Sequence, residues 1–473
     1  MKKASTRSSM LGKLGAWALA AAMCAAGAAH AQGGIPVPDH DPFYTPPADY
    51  LYQPNGTVLA SRQINAEYLL PLLSTDVING IGALSADLVP ALQALKSLKV
   101  NAYQVLYKST DGHGNPVADA ATILVPQWKW GGAGPRPLVS FQSAEDSVDT
   151  RCAPSYVLRT GLLGAGALSV STFDIAQSLV TLAHGYAIVY PDHEGPHSQW
   201  IAGKQSGQAT LDGVRAALNY APAGLSPRTP VGLWGYSGGG GATGWAAILK
   251  PTYAPELNVV GAVVGSSSNS DITRLYKKIN GRITSGFVVL ALVGLDRAYP
   301  EAGVGGYLNA AGKTLLAGAQ NLCAVEALAK YPLIGPMEQY SIDPAVSLTD
   351  SPPGKFLFPT NSLVDQPDTP SSVPILSYHD WNDEVVPVQA DDAMAAKWCA
   401  AGTPVQVSRT WLPLPPAGAL IHGAAAAAFT LPAVNYLANR FNNVTPRNDC
   451  SQVAVWDSNR HLLPVVYKPL STN

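Results

Sequence analysis

Charge is what the 473-residue sequence has least of. Only 13% of its residues are Asp, Glu, Lys or Arg, and the formal net charge is −2 with no basic block. Nucleic acid and anionic membrane surfaces are held by clustered positive charge, so neither is an expected partner. Cysteine is scarce too: five occur, widely spaced and never as C-x-x-C. The run "GFVVLALVGL" at 286–295 falls well short of the ~20 residues that cross a bilayer. No transmembrane segment is expected after the leader.

The leader itself is readable. Lys2, Lys3, Arg7 and Lys13 precede an alanine-rich apolar run, and Ala29-His30-Ala31 closes it. That is the pattern of a secretory signal peptide over 1–31. Met23 stands before Cys24, where a lipoprotein signal wants a small residue. Cys24 leaves with the leader, so Cys152, Cys323, Cys399 and Cys450 remain. An even count in an exported chain implies two disulfides. Four cysteines allow three pairings, and spacing does not choose among them. Apolar residues make up 47% of the chain, ample for a sizeable core.

Residues 32–60 are rich in proline and tyrosine and read as an extended arm. "NAYQVLYKST" and "AATILVP", with "DGHGNP" between them, read as strands around a turn. "RPLVSFQ" suits a buried central strand. Helical and strand-like segments then alternate: "TFDIAQSLVTLAHG", "YAIVYPD", "QSGQATLDGVRAALNYA", "PVGLWG", "GGATGWAAILK", "LNVVGAVVGSS". Such alternation builds a mostly parallel sheet covered by helices on both faces, an α/β fold. It stops near Ser268 and resumes at "PILSYHD" near Pro374. The segment between is helix-like.

The run "VGLWGYSGGGGATGW" at 231–245 admits two readings. Gly235-Tyr236-Ser237-Gly238-Gly239 fits G-x-S-x-G, a turn that exposes a nucleophilic serine. Gly239 to Gly244 fits G-x-G-x-x-G, a cradle for a dinucleotide pyrophosphate. The second needs a carboxylate about 20 residues on, at the end of the next strand. That strand ends in Gly265-Ser266-Ser267-Ser268, and export separates the chain from the cytosolic cofactor pool. The glycines therefore hold a serine. Gly235 and Gly239 free the turn of bulk, and side chains at Gly240 and Gly241 would crowd the strand or the acyl substrate.

A serine nucleophile needs a histidine to take its proton and a carboxylate to fix that histidine's tautomer. In this fold the order is Ser, acid, His. His379, His422 and His461 follow Ser237. His379 closes a strand where the acid belongs, and His461 lies in the tail. His422 sits between the strand "VQVSRTWL" and a helical run, the position of the base. For the acid, "YHDWNDEVVP" offers Asp380, Asp383 and Glu384. Asp383 is chosen, with Val385-Val386 packing beneath it and Pro387 opening the next helix; Asp380 is the competitor. The oxyanion donors are the amide of Gly238 and a group from "SAEDSVDTRCAPSY", where the usual H-G-G-G signature is absent. Asp192, His193, Glu194 and nearby His197 mimic a metal site, but neighbours on one loop rarely converge on an ion. They read as supports for the loop beside the site. Neither metal nor organic cofactor is implied.

These segments resemble the secretory lipases, the fungal lipase A-like branch of the α/β-hydrolases with bacterial members. The resemblance is carried by "DPFYTPP", "AEDSVDTRCAPSY", "GYAIVYPDHEGP", "LDGVRAAL", "GYSGGGGATGWAA", "YHDWNDEVVP" and a histidine ahead of "LANRF", in that order. It implies a triad of Ser237, Asp383 and His422, an oxyanion hole using Asp146 and Gly238, and disulfides Cys152–Cys323 and Cys399–Cys450. One departure stands out: His379-Asp380-Trp381 replaces the family's His-Gly.

The expected organisation is a signal peptide (1–31), an α/β-hydrolase core in two parts (32–267 with the arm, 371–473 with the tail) and a helical lid (268–370). The expected function is a secreted serine esterase, a triacylglycerol lipase foremost, acting on small-molecule or lipid esters at a lipid interface. The alternatives are an acyltransferase, an esterase for short or aromatic esters, and a non-catalytic binding protein on a hydrolase scaffold.

Overall fold

A computed structural model describes residues 35–66, 74–84, 86–161, 169–415 and 419–453. The signal-peptide expectation, over 1–31, lies outside the described residues. Among the described residues nine strands form one sheet: β1 (Val58–Ile64), β2 (Val100–Thr110), β3 (Pro116–Pro126), β4 (Leu138–Gln142), β5 (Ala187–Pro191), β6 (Val231–Tyr236), β7 (Val259–Gly265), β8 (Ile375–Asp380) and β9 (Val405–Thr410). Their spatial order is β1-β2-β3-β5-β4-β6-β7-β8-β9. β1 to β3 form an antiparallel meander, and β3 meets β5 antiparallel. From β5 through β9 every neighbouring pair is parallel.

Local chemistry explains both halves. The β2–β3 turn is fixed by the Asp111 carboxylate, which accepts from the amides of His113 (2.9 Å) and Asn115 (2.8 Å). β4, β5 and β6 are buried at every position, as parallel strands covered on both faces must be. The principal helices are α1 (Gly203–Asn219), α2 (Gly238–Tyr253), α3 (Ile272–Ile279), α4 (Gly286–Ala298), α5 (Ala310–Ala317), α6 (Ala324–Lys330), α7 (Pro352–Asn361), α8 (Val388–Ala400), α9 (Leu420–Ala428) and α10 (Thr430–Phe441). Phe141, Trp234 and Tyr378 share one apolar cluster with residues of α9 and α10. Leu233, Val264 and Ile375 share a second with α1, α2 and α8. Together these features make the α/β-hydrolase architecture.

Helices α3 to α7 lie between β7 and β8 and have their own apolar cluster. It reaches the sheet domain through Val148, Trp200, Val385 and Val386. The run "GFVVLALVGL" lies in α4, with Val289, Leu290 and Val293 fully buried. Cys152 pairs with Cys323 (Cα–Cα 5.9 Å) and Cys399 with Cys450 (5.3 Å). The first bond ties the segment after β4 to the start of α6.

Three details depart from the sequence reading. The arm expected to run to residue 60 gives way at Val58 to β1, an edge strand with several outward-facing side chains, which masked its strand character. The helix expected over "TFDIAQSLVTLAHG" is two pieces, Ser171–Ser178 and Val180–Ala183. Helix α2 runs past Lys250 through Pro251 to Tyr253.

Candidate active site

The nucleophile candidate occupies the turn between β6 and α2. Ser237 has φ +56°, a conformation that costs a non-glycine residue of order 1–3 kcal/mol and persists only where the surroundings impose it. They do so here: the Ser237 amide donates to Gly265 O (3.0 Å), while its carbonyl accepts from the amides of Gly241 (3.0 Å) and Ser268 (3.1 Å). The glycines are steric requirements of the same turn. A Cβ at Gly235 would meet Gly239 backbone, one at Gly239 the Gln142 carbonyl, and one at Gly240 the Gly265 carbonyl. One at Gly241 would strike the Asn269 side chain. The crowding at Gly240 and Gly241 comes from the end of β7 and the loop after it.

His422 Nε2 lies 2.9 Å from Ser237 Oγ, and its Nδ1 lies 2.7 Å from Asp383 Oδ2. With Nδ1–H donating to the carboxylate, Nε2 is left bare to accept the serine proton. The histidine is carried at the start of α9. There Glu384 accepts from the amides of Ile421 (3.0 Å) and His422 (3.2 Å), an anion on a helix N-terminus. The Tyr236 hydroxyl donates to the His422 carbonyl (2.8 Å). By length and composition alone, Leu420–Phe441 would suit a membrane span. It is instead two mostly buried helices of the fold, and it carries His422.

Asp383 is gripped at both oxygens. Oδ1 accepts from the amides of Val385 (2.8 Å) and Val386 (2.9 Å); Oδ2 accepts from Ser266 Oγ (2.6 Å) as well as from His422. Burial alone would raise its pKa, but the neighbouring His422 outweighs that and holds the carboxyl well below the usual range. Burial likewise pushes His422 down, yet the charge and hydrogen bond of Asp383 leave its pKa above 6.5. The competitor Asp380 is engaged elsewhere. It accepts from the Asn382 amide (2.8 Å), Thr410 Oγ1 (2.7 Å) and the Leu412 amide (2.8 Å), lacing β8 to the end of β9. Pro387 is the N-cap of α8.

Gly238 opens α2, so its N–H has no acceptor within the helix. A Cβ there would run into Asp146 Oδ1. Asp146 has φ +44° and is buried; among the described residues its Oδ1 has no hydrogen-bond partner, and burial lifts its carboxyl to about 6. Trp200 Nε1 approaches the same corner, and the Trp200 ring packs on Phe287 of α4 at 5.7 Å between centroids. His193, from the cluster that mimics a metal site, places Nε2 2.7 Å from Ser143 O and braces the segment leading to Asp146. Asp192 accepts from the Ser155 amide (2.8 Å) and its hydroxyl (2.5 Å), tying β5 to the same segment.

Ser266 and Trp200 were absent from the sequence reading of the site, which weighed His379 only as a base and Glu384 only as an acid. Ser266 had a readable signal: it follows β7, the neighbour of the nucleophile's strand, in "GSSS". The others depend on side-chain direction.

A family model described as "Secretory lipase" matches residues 166–449. Lipase 2 of Candida albicans is 36% identical over 375 residues, spanning 76% of this chain and 73% of that one. A Mycobacterium tuberculosis protein described as "Probable inactive lipase" is 34% identical over 376 residues, spanning 79% and 77%. The crystal structure of Candida antarctica lipase A in its closed state superposes with a TM-score of 0.72 at 28% identity, covering 88% of this chain and 89% of that one. The chain belongs to the secretory lipase family, and it is a secreted α/β-hydrolase that cleaves carboxylic esters.

Proposed function

We propose that the chain hydrolyses lipid esters, triacylglycerols foremost, through an acyl-enzyme on Ser237. His422 Nε2 takes the hydroxyl proton as Oγ adds to the ester carbonyl. Asp383 keeps Nδ1 protonated and balances the imidazolium that forms. The developing oxyanion lies between the Gly238 amide and the Asp146 segment; one such donor contributes roughly 10²–10³ in turnover. Collapse expels the alcohol, which leaves with the proton from His422. Water then adds to the acyl-enzyme with His422 as base, and the acid is released. Residues 268–370 act as a lid whose apolar interior covers the acyl chain, with Phe287 beside Trp200 at its inner edge.

The observation that carries this reading is the unbroken relay from Asp383 through His422 to a serine held at positive φ. The description of the Mycobacterium tuberculosis relative as inactive favours a second reading, a binding protein without chemistry, and the intact relay argues against it here. Hydrolysis of p-nitrophenyl esters of graded acyl length, with and without a serine-directed phosphonate, tests both. Ser237→Ala should lose about 10⁴–10⁶ in turnover while keeping its far-ultraviolet spectrum. Retention of more than a few per cent of activity removes Ser237 as nucleophile.

A further inference from the structure

Behind Asp383 lies a second imidazole with no place in the relay. His379 is the penultimate residue of β8 and is fully buried. Its Nδ1 is 2.7 Å from Asp391 Oδ2 on α8. Its Nε2 is 3.1 Å from Val386 O and 3.4 Å from Asp383 Oδ2. Ser266 Oγ is 3.4 Å from the same nitrogen, but its proton is directed to Asp383 at 2.6 Å, so it offers Nε2 a lone pair. Among the described residues, every group facing the ring nitrogens is therefore an acceptor. A carbonyl oxygen has no proton to give, so Nε2 must carry one. At Nδ1 the partner is a carboxylate whose other oxygen already accepts from Ser270 Oγ (2.5 Å). The remaining charged neighbours point elsewhere. Arg409, opposite His379 on β9, turns to Ser377 and Asp392. Asp380 turns to β9, and Glu384 to the start of α9.

We propose that His379 is a fixed imidazolium clamped between Asp391 and Asp383, and that it acts as a positioning residue for the triad acid. This rests on the triad reading above. Its first effect is on Asp383, a carboxylate deprived of water: a permanent cation 3.4 Å from Oδ2 favours the ionised form that orients His422. Its second effect is on His422. Asp383, Asp391 and a cationic His379 together carry one net negative charge, which is neutralised when His422 takes the serine proton. With His379 neutral the array would carry two, and His422 would hold a proton already in the free enzyme. The fixed cation thus reserves the imidazolium of His422 for the transition state, where it is needed.

Two measurements test this. In protein labelled with ¹⁵N-histidine, the His379 ring, assigned through its own backbone resonances, should show both nitrogens protonated at neutral pH. A ring with one proton at neutral pH, including the case where Asp391 holds the other, overturns the proposal. The pH dependence of kcat/KM supplies the functional arm. His379→Gln and His379→Asn both remove the cation and leave Asp383 and Asp391 charged. Both should move the acid limb to higher pH by on the order of one unit, the scale of a neighbouring-charge effect. Loss of stability with an unmoved limb in folded variants would reduce His379 to a structural group. The ring measurement needs no activity, so failure of the triad reading, seen as an active Ser237→Ala, is distinguishable from failure of this one.

Discussion

Asp380 and Asp383 stand three residues apart and take opposite sides of the end of β8. Asp383→Asn removes the charge that fixes the His422 tautomer, and turnover should fall by ~10⁴, the loss seen when an amide replaces a triad carboxylate. Asp380→Asn should retain most activity. It weakens the lacing of β8 to β9, and unbonded buried donors cost about 1–3 kcal/mol, so its denaturation midpoint should drop. Parallel kinetics and denaturant titrations check the pair, and an inactive Asp380→Asn reverses the assignment. A pH effect follows from His422. Its pKa is held above 6.5, and a base works only when neutral, so kcat/KM on a soluble ester should lose its acid side at a pH above 6.5. The stability sign is separate. Because the folded value is raised, the His422 contribution is complete below the unfolded pKa and fades as pH rises through the folded one. Asp383, held low, contributes above the ordinary carboxylate range and loses that contribution only in acid. Ser237 and His422 were legible in the sequence as candidates because strand–turn–helix order places them. The choice between Asp380 and Asp383 was weaker, since it depends on which way side chains leave a loop. His379 was legible as a residue of the acid's strand, but not as a neighbour of Asp383, which requires the turn to bring i and i+4 together.

Helix α2 shows how an element can be built against its own propensity. Its first four residues, Gly238 to Gly241, are all glycine, and each alanine there would by propensity gain up to about 1 kcal/mol. The surroundings forbid it. At Gly241 a Cβ would strike Asn269, whose Nδ2 is committed to the carbonyls of Ile201 and Asn361, both at 3.0 Å. Asn269 cannot retreat without leaving those groups unpaired. Overpacking costs about 1–3 kcal/mol, so Gly241→Ala should be net destabilising in spite of better helix propensity. Thermal unfolding of this variant measures the balance; an unchanged or raised midpoint would mean that Asn269 yields. The sequence showed that the glycines avoid bulk, but it could not distinguish strand from substrate as the cause. That required the position of the loop after β7. Strand β1 was hidden for a different reason: an edge strand with one wet face lacks the apolar density that marked β4 to β6.

At the scale of the whole molecule, the cap and the proposed triad share a core. The apolar cluster of α3 to α7 includes Val385 and Val386, whose amides hold Asp383 Oδ1. It also includes Trp200, beside Asp146 and Gly238. Changes in cap packing should therefore reach kcat as well as KM. The break in β/α alternation made the insertion legible, but its anchoring was not. Gly286, at the start of α4, packs on the backbone of Ala327 in α6, and α6 begins at Cys323, bonded to Cys152. Asn361, at the end of α7, accepts from the Gly203 amide (2.9 Å) through its side chain and from Trp245 Nε1 (3.2 Å) through its carbonyl.

Opening of the proposed lid would work against that disulfide. Removing it should do two things. The fold should lose about 2–5 kcal/mol, the usual cost of deleting a native disulfide, and the inner edge at Phe287 should part from Trp200 more readily. A lipid surface favours whichever state exposes the cap's apolar interior, by differential binding. Rates on a long-chain ester, followed through the concentration at which it aggregates, should jump in the native enzyme. The jump should be larger in the Cys152→Ala/Cys323→Ala variant, at temperatures where that variant remains folded. Phe287→Ser should shrink the jump and shift preference toward shorter acyl chains, since it strips the edge of the ring that packs on Trp200. Leu290 is a poor site for the same test: it is fully buried within the cap, and a polar group there would unfold the segment rather than retune it. Smooth saturation in all three proteins would assign residues 268–370 to packing alone. The coupling of cap to triad through Val385 and Val386 would then remain visible only as a fall in kcat when the cap is disturbed.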